Sequence, residues 1–235
     1  MRDRCERAGQ DGEWERWTAP PTRECVVLVH GLFFNGWELL PLARRLRCYG
    51  FAPVRFSYPT VAANPEANGR ALAAFAQRLD HANVHFVGHS LGGIVIRHAL
   101  AVAPDLPPGR VVTLGTPHAG AAVVGTVNRL AAGRALLRQA SQAGLDGGAP
   151  ALPSARECGG ISGDRPAMIG LGAFLPGIPS PGDGMVGVAE SADPGLAQRL
   201  VLPVSHTGMV FNREVARQIA HFLRHGTFAD CPPTG

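Results

Sequence analysis

Apolar, β-rich runs alternate with stretches of helical periodicity along this chain, and that alternation limits the possible folds more than any other feature. Cys25–His30 (CVVLVH) is a fully apolar run ending at Gly31. After it Leu39, Leu42, Ala43 and Leu46 fall on one helical face, which stops near Gly50. Ala52–Tyr58 reads as a second strand, and Leu72, Phe75, Ala76 and Leu79 mark the helix behind it. Val84–His89 is a third strand, followed by a helix carrying Leu91, Ile94, Val95 and Val102, and Arg110–Leu114 is a fourth. Ala119–Ala143 is Ala-rich and helical but weakly patterned, and Asp146–Pro153 is a loop. Cys158–Ser162 and Leu200–Val204 complete the strands, and Asn212 caps a last helix that ends at Gly226. Strands buried on both faces, each followed by a crossover helix, predict a three-layer α/β domain. Its central sheet is mainly parallel, with about six strands and right-handed connections.

A length of 235 residues suits one such domain, here expected over 25–228, with a polar N-terminal extension at 1–24 and a tail at 229–235. All 22 basic residues are arginine, and they are scattered. The densest trio (Arg44, Arg45, Arg47) falls on one helix as a solvated face, so nothing speaks for nucleic acid. The five cysteines lack metal-site spacing and read as mostly reduced, with room for one disulfide. Residues 1–24 are polar and contain no apolar leader stretch, and no run approaches the roughly 18 apolar residues of a membrane span. From these features the chain is expected to be cytoplasmic.

Ligands of such sheets sit beyond the carboxyl ends of the strands. His30-Gly31, Ser90, Thr116-Pro117 and His206 all follow predicted strands and therefore converge on one rim. Gly88-His89-Ser90-Leu91-Gly92-Gly93 joins a strand to a helix, the setting in which a Gly-x-Ser-x-Gly turn lifts a serine hydroxyl toward a ligand. A β-carbon at Gly88 or Gly92 would crowd that turn. A serine nucleophile needs a base in reach and a group to orient the base. Of nine histidines, His206 is the candidate, in the loop between the last strand and the last helix. His89 lies inside the elbow, pointing away from the serine, and the histidines on helices and strands read as packed or surface groups. For the orienting acid, Asp183 stands in a Gly-flanked loop, while Asp164 follows a short strand and rivals it on topology. Asp193 reads as a turn residue, and Asp105 and Asp146 as loop polars. The amide of Leu91 is one oxyanion donor, and the loop after the first strand supplies the other from Leu32, with Phe33 second. Phe33, Phe34 and Trp37 are candidates either for an apolar substrate wall or for core packing.

These residues resemble the α/β-hydrolase superfamily, specifically small bacterial lipases and esterases with little or no lid domain. The resemblance runs from about Cys25 to Phe228. It rests on His30-Gly31-Leu32, Gly88–Gly93, Gly115-Thr116-Pro117-His118-Ala119-Gly120, Asp183-Gly184-Met185-Val186 and Ser205-His206-Thr207-Gly208-Met209. It implies a triad of Ser90, His206 and Asp183, favouring Asp183 over Asp164, with Leu32 and Leu91 as oxyanion donors. It also implies hydrolysis of ester or lipid substrates through an acyl-enzyme, with no metal or cofactor, and transient contact with a lipid interface. Acyltransfer, thioester or amide cleavage would use the same triad, and a catalytically silent binding protein of the same fold is the remaining alternative, against which the complete triad speaks. Residues 119–153 and 169–181 are the segments from which a cover over the rim would come.

Overall fold

Alternate side chains of a strand point to opposite faces, and in this protein both faces are apolar. In the computed structural model, which describes residues 24–166 and 180–229, strand β1 spans Glu24–Val29. It sends Cys25, Val27 and Val29 into one core and Val26 and Leu28 into the other. Strand β3 (Asn83–His89) behaves likewise, with Val84 and Phe86 on the first face and Val87 on the second. Such a strand is stable only between two helical layers, since each buried Val or Leu side chain contributes about 1.5–3 kcal/mol.

Helices α2 (Pro65–Ala76) and α3 (Leu91–Val102) cover the first face. Helices α1 (Leu40–Cys48) and α6 (Arg213–His225) cover the second. The ends of these helices follow local chemistry. Asn64 Oδ1 accepts the Ala67 amide at the start of α2, and Asn212 Oδ1 accepts those of Glu214 and Val215 at the start of α6. Gly226, in the left-handed region at φ 74°, ends α6 where the sequence places its stop.

The remaining strands are β2 (Ala52–Phe56), β4 (Val111–Leu114), β5 (Cys158–Gly163) and β6 (Gln198–Leu202). All pairings are parallel, in the order β2-β1-β3-β4-β5-β6. The expected three-layer parallel α/β sheet is therefore the observed one. The chain winds from β1 to β2 in one direction and then places β3 on the other side of β1. That reversal opens a crevice beyond the ends of β1 and β3, the switch point at which ligands bind in open α/β sheets.

The weakly patterned 119–143 stretch resolves into two short helices, α4 (Ala122–Asn128) and α5 (Ala131–Leu137), and one wide turn over Ser141–Leu145. Its Ala and Gly content supplies too few large apolar residues for one long amphipathic helix. Cys25 and Cys158 are buried thiols, and Cys48 is disulfide-bonded. Among the described residues no helix is long and apolar enough to cross a membrane. Nearly all of the expected N-terminal extension, the C-terminal tail and the 169–181 segment lie outside the described residues, and Glu24, expected at the end of the extension, begins β1.

Candidate active site

Ser90 ends β3 and starts α3 with φ 54° and ψ −121°, a conformation costly for a residue with a β-carbon. Neighbouring backbone holds it there. Its amide donates to Leu114 O at 2.8 Å, and its carbonyl accepts from the Gly93 amide at 3.1 Å and Thr116 Oγ1 at 3.0 Å. The glycines of the motif allow the helix to press onto the sheet. A β-carbon on Gly92 would lie 2.2 Å from Val29 O, and one on Gly88 would lie 2.6 Å from Gly93 N. At the start of α3 the Leu91 N–H has no intrahelical acceptor.

On the adjacent loops His206 Nδ1 donates to Asp183 Oδ2 at 2.7 Å. The carboxylate is 1% exposed, yet its other oxygen accepts the amides of Met185 and Val186 at 2.9 and 2.8 Å. A buried charge so fully hydrogen-bonded is held in one orientation. The backbone reinforces the pair, with the His206 amide donating to Asp183 O at 3.0 Å. Gly115, at φ 52°, passes so close that a β-carbon there would sit 2.8 Å from Asp183 Oδ2 and 3.0 Å from His206 Nδ1. Asp164, the rival acid, is exposed, and its carboxylate lies 3.9 Å from Arg165. The structure thus joins His206 to Asp183 beside the elbow. Among the described residues no hydrogen bond links Ser90 Oγ to the imidazole.

His89 has a use that the motif reading did not assign. Its ring lies 4.7 Å from the His206 ring, and its Nε2–H donates to His206 O at 3.0 Å. It therefore ties the loop of His206 to the residue next to Ser90. Burial, reinforced by the adjacent His206, pushes its pKa down to about 3, so the ring is neutral. Its Nδ1 is buried and has no hydrogen-bond partner among the described residues.

The loop after β1 is held by His30, which the sequence placed on the rim, and by Tyr58 and Thr60, for which the sequence suggested no role. His30 is fully buried and stacked on Tyr58 at 4.2 Å. Its Nδ1–H donates to Gly31 O at 3.0 Å, while its Nε2 accepts the Tyr58 amide at 3.2 Å; the Tyr58 hydroxyl donates to His30 O at 2.7 Å. These contacts fix the neutral tautomer, and burial lowers the pKa further. Gly31 then lies against the turn of Ser90, where a β-carbon would be 3.2 Å from Ser90 Cβ. Phe33, at φ 64°, gives its amide to Thr60 Oγ1 at 3.2 Å, which takes it out of contention as an oxyanion donor. Among the described residues the Leu32 amide has no acceptor. Phe33, Phe34 and Trp37 are all exposed, so core packing does not account for them. The sequence signalled His30 through the His30-Gly31-Leu32 motif, whereas Tyr58 and Thr60 were marked only by their position at or just after the end of a strand. Among the described residues no cluster of three or more His, Cys, Asp or Glu side chains is placed to hold a metal ion.

A model of the alpha/beta hydrolase family matches residues 26–231. The chain belongs to that family. Two triacylglycerol lipases, from Pseudarthrobacter phenanthrenivorans and Burkholderia plantarii, are each 39% identical to it over 115 residues. That stretch is 44% of this chain and 36% and 32% of theirs, so the chain spans about a third of the length of these relatives in the matched part. Among solved structures, the mature form of a Bacillus licheniformis lipase superposes with a TM-score of 0.66 at 19% identity, covering 90% of this chain and 94% of that one. A thioesterase of the prodiginine pathway of Streptomyces coelicolor superposes with a TM-score of 0.57 at 15% identity, covering 92% and 91%. At these identities the two structures establish the shared fold.

Behind the elbow of this alpha/beta hydrolase, α3 is anchored by a buried polar cluster. Arg97 Nη1 reaches His118 Nδ1 at 3.0 Å and Asp193 Oδ2 at 3.1 Å, and Arg97 also donates to the carbonyls of Ala149 and Pro150. His118 Nε2–H meets Thr113 Oγ1 at 3.0 Å, and burial together with Arg97 pushes the His118 pKa down to about 4. Asp193, read from the sequence as a turn residue, does cap its turn by accepting the Gly195 amide, and it neutralises Arg97 as well. An open groove of about 620 Å³ runs between α4 and the 189–190 turn, lined by Ala119–Ala122, Leu145, Asp146 and Glu190 among others.

Proposed function

We propose that this protein is a serine hydrolase that cleaves carboxylic esters through an acyl-enzyme. The reading is carried by the 2.7 Å His206–Asp183 hydrogen bond, placed beside a serine held at positive φ on the strand-to-helix turn. Ser90 is the nucleophile and His206 its general base. Asp183 holds the imidazole with its proton on Nδ1 and stabilises the cation that forms, without taking the proton itself. The amides of Leu32 and Leu91 receive the oxyanion. The ester carbonyl is attacked by Ser90 Oγ as its proton passes to His206 Nε2. That proton then goes to the departing alcohol, and a water repeats the sequence to release the acid. Among the ester classes, acyl esters and lipids are favoured by the two relatives named triacylglycerol lipases and by the exposed aromatic side chains of Phe33 and Phe34 beside the oxyanion loop.

A fluorophosphonate probe is expected to label Ser90 in the folded protein, and Ser90→Ala is expected to abolish turnover of p-nitrophenyl esters. Persistent turnover in that variant overturns the mechanism. Competing alcohol, amine and thiol acceptors in the product assay separate hydrolysis from acyl transfer.

A further inference from the structure

Helix α6 turns an apolar stripe of Val215, Ile219, Phe222 and Leu223 toward the sheet, and its last turn carries two histidines off that stripe. His221 and His225 are four residues apart, so they stand one above the other on the helix surface. Their ring centres are 4.5 Å apart, with the planes tilted by 44°. His225 is exposed and His221 half-buried.

The His221 ring is oriented as a metal ligand is. Its Nδ1–H donates to Thr227 O at 2.7 Å, which leaves the lone pair on Nε2. Metal-bound histidines almost always give their other N–H to such a carbonyl, which fixes the tautomer and the ring direction. The ring separation selects a geometry. An ion about 2.0–2.1 Å from an imidazole nitrogen lies about 3.2 Å from the ring centre, so two rings at right angles around it have centres about 4.5 Å apart, and two at a tetrahedral angle about 5.2 Å. Imidazoles at right angles suit the tetragonal sites of Cu²⁺ and Ni²⁺.

The neighbouring cations have partners of their own. Arg110 pairs with Glu157 and donates to the carbonyls of Leu223 and Arg224, while Arg224 stacks over Phe51 and donates to Tyr49 O. Arg110 stands just before β4, so these contacts put the end of α6 at the amino ends of the strands, the opposite edge of the sheet from Ser90.

We propose that His221 and His225 form a surface chelate for a divalent transition metal of tetragonal preference, Cu²⁺ or Ni²⁺. Among the described residues the pair has no third protein ligand, and water fills the other positions. The ion bridges the last turn of α6. Through the Thr227 carbonyl it also holds the chain reversal at Gly226 that seats Phe228 against Phe222. The site takes no part in the proposed hydrolysis and does not rest on that reading; it stabilises the fold as it fills.

The experiment is calorimetric titration of the full-length protein with NiCl2, CuCl2 and ZnCl2 near pH 7.5, above the range of about 6.5 in which histidines ordinarily titrate. Cu²⁺ is expected to bind more tightly than Ni²⁺, and Ni²⁺ more tightly than Zn²⁺. H221Q and H225Q should each weaken Ni²⁺ binding at least about tenfold, since losing even a group that orients a ligand costs that much. H81Q, on another part of the surface, should leave it unchanged. Spin resonance of the Cu²⁺ complex should show two nitrogen ligands in the wild type and one in either single variant. Both positions lie on the helix surface and glutamine keeps a donor for Thr227 O, so melting curves without metal should stay at wild-type values. Ni²⁺ at about a hundred times its Kd should raise the wild-type Tm by about 5–10 °C and leave H221Q/H225Q unshifted. A loss below tenfold in either single variant, Zn²⁺ bound as tightly as Cu²⁺, or an equal loss in H81Q overturns the proposal.

Discussion

Replacing Asp183 with Asn tests the proposed proton path most directly, because the two side chains have the same shape. Oδ1 accepts two main-chain amides at 2.9 and 2.8 Å, and Oδ2 accepts from His206 Nδ1 at 2.7 Å. The amide oxygen of Asn must keep the Met185 and Val186 donors, since its NH2 group in that place would meet two N–H groups head-on. The NH2 then faces His206 Nδ1, which can only accept, and the imidazole proton moves to Nε2. A ring protonated at Nε2 cannot receive the Ser90 proton. In the homologous situation of a triad whose acid becomes an amide, kcat falls about 10⁴-fold with geometry intact, and a loss of that order with little change in KM is expected here. The stability cost is smaller. All three charge-assisted bonds become neutral ones, worth about 1–3 kcal/mol in sum, or a Tm decrease on the order of 3–10 °C for a domain of this size. The assay is p-nitrophenyl ester turnover with a parallel melt and a fluorophosphonate labelling rate. Asp164→Asn serves as the control, expected at wild-type turnover. A kcat for Asp183→Asn within tenfold of wild type, or a collapse in Asp164→Asn, refutes the reasoning.

Three further outcomes are expected. His89→Leu should lower kcat by about tenfold or more at unchanged KM by freeing the His206 carbonyl, and His89→Gln, whose amide can still donate, should recover most of it; equal kcat in both variants and wild type refutes the tether. Gly92→Ala should destabilise the protein by at least about 1–3 kcal/mol, because its β-carbon would lie 2.2 Å from Val29 O, whereas Gly125→Ala meets nothing within 4 Å and should be neutral or stabilising by up to about 1 kcal/mol. Thermal melts of the two decide it. His85, His89 and His118 are held neutral by burial at pKa values of about 4, 3 and 4. The unfolded chain, with histidines near 6.5, binds more protons between pH 6.5 and about 4, so stability is present above that window and falls as pH drops through it, by up to about 1.4 kcal/mol per pH unit for each histidine. Urea midpoints that stay flat from pH 7 to 4.5 contradict this.

The layered sheet was legible in the chain because its determinants are local. Strands such as Cys25–Val29 are apolar at every position, which only a sheet covered on both faces explains, and Asn212 and Gly226 bracket the last helix with the cap and stop chemistry that helices require. The turn at Ser90 was legible for the same reason, since its glycines answer steric demands within a few residues of one another. For residues 119–143 only the helical character was legible and not its division into two short helices, because Ala and Gly carry little periodic signal. Pairwise contacts between distant segments lay beyond any local pattern. On topology alone Asp164 and Asp183 were rivals for His206, and folding leaves one exposed beside Arg165 and seals the other under two backbone amides. The links of His89 to the loop of His206, of Tyr58 and Thr60 to the loop after β1, and of Arg97 to Asp193 each join residues at least 25 positions apart. A sequence shows which residues alternate, cap and bend. Which polar groups end up buried together depends on how strands far apart in the chain are ordered in the sheet, and burial is what selects their partners and their protonation.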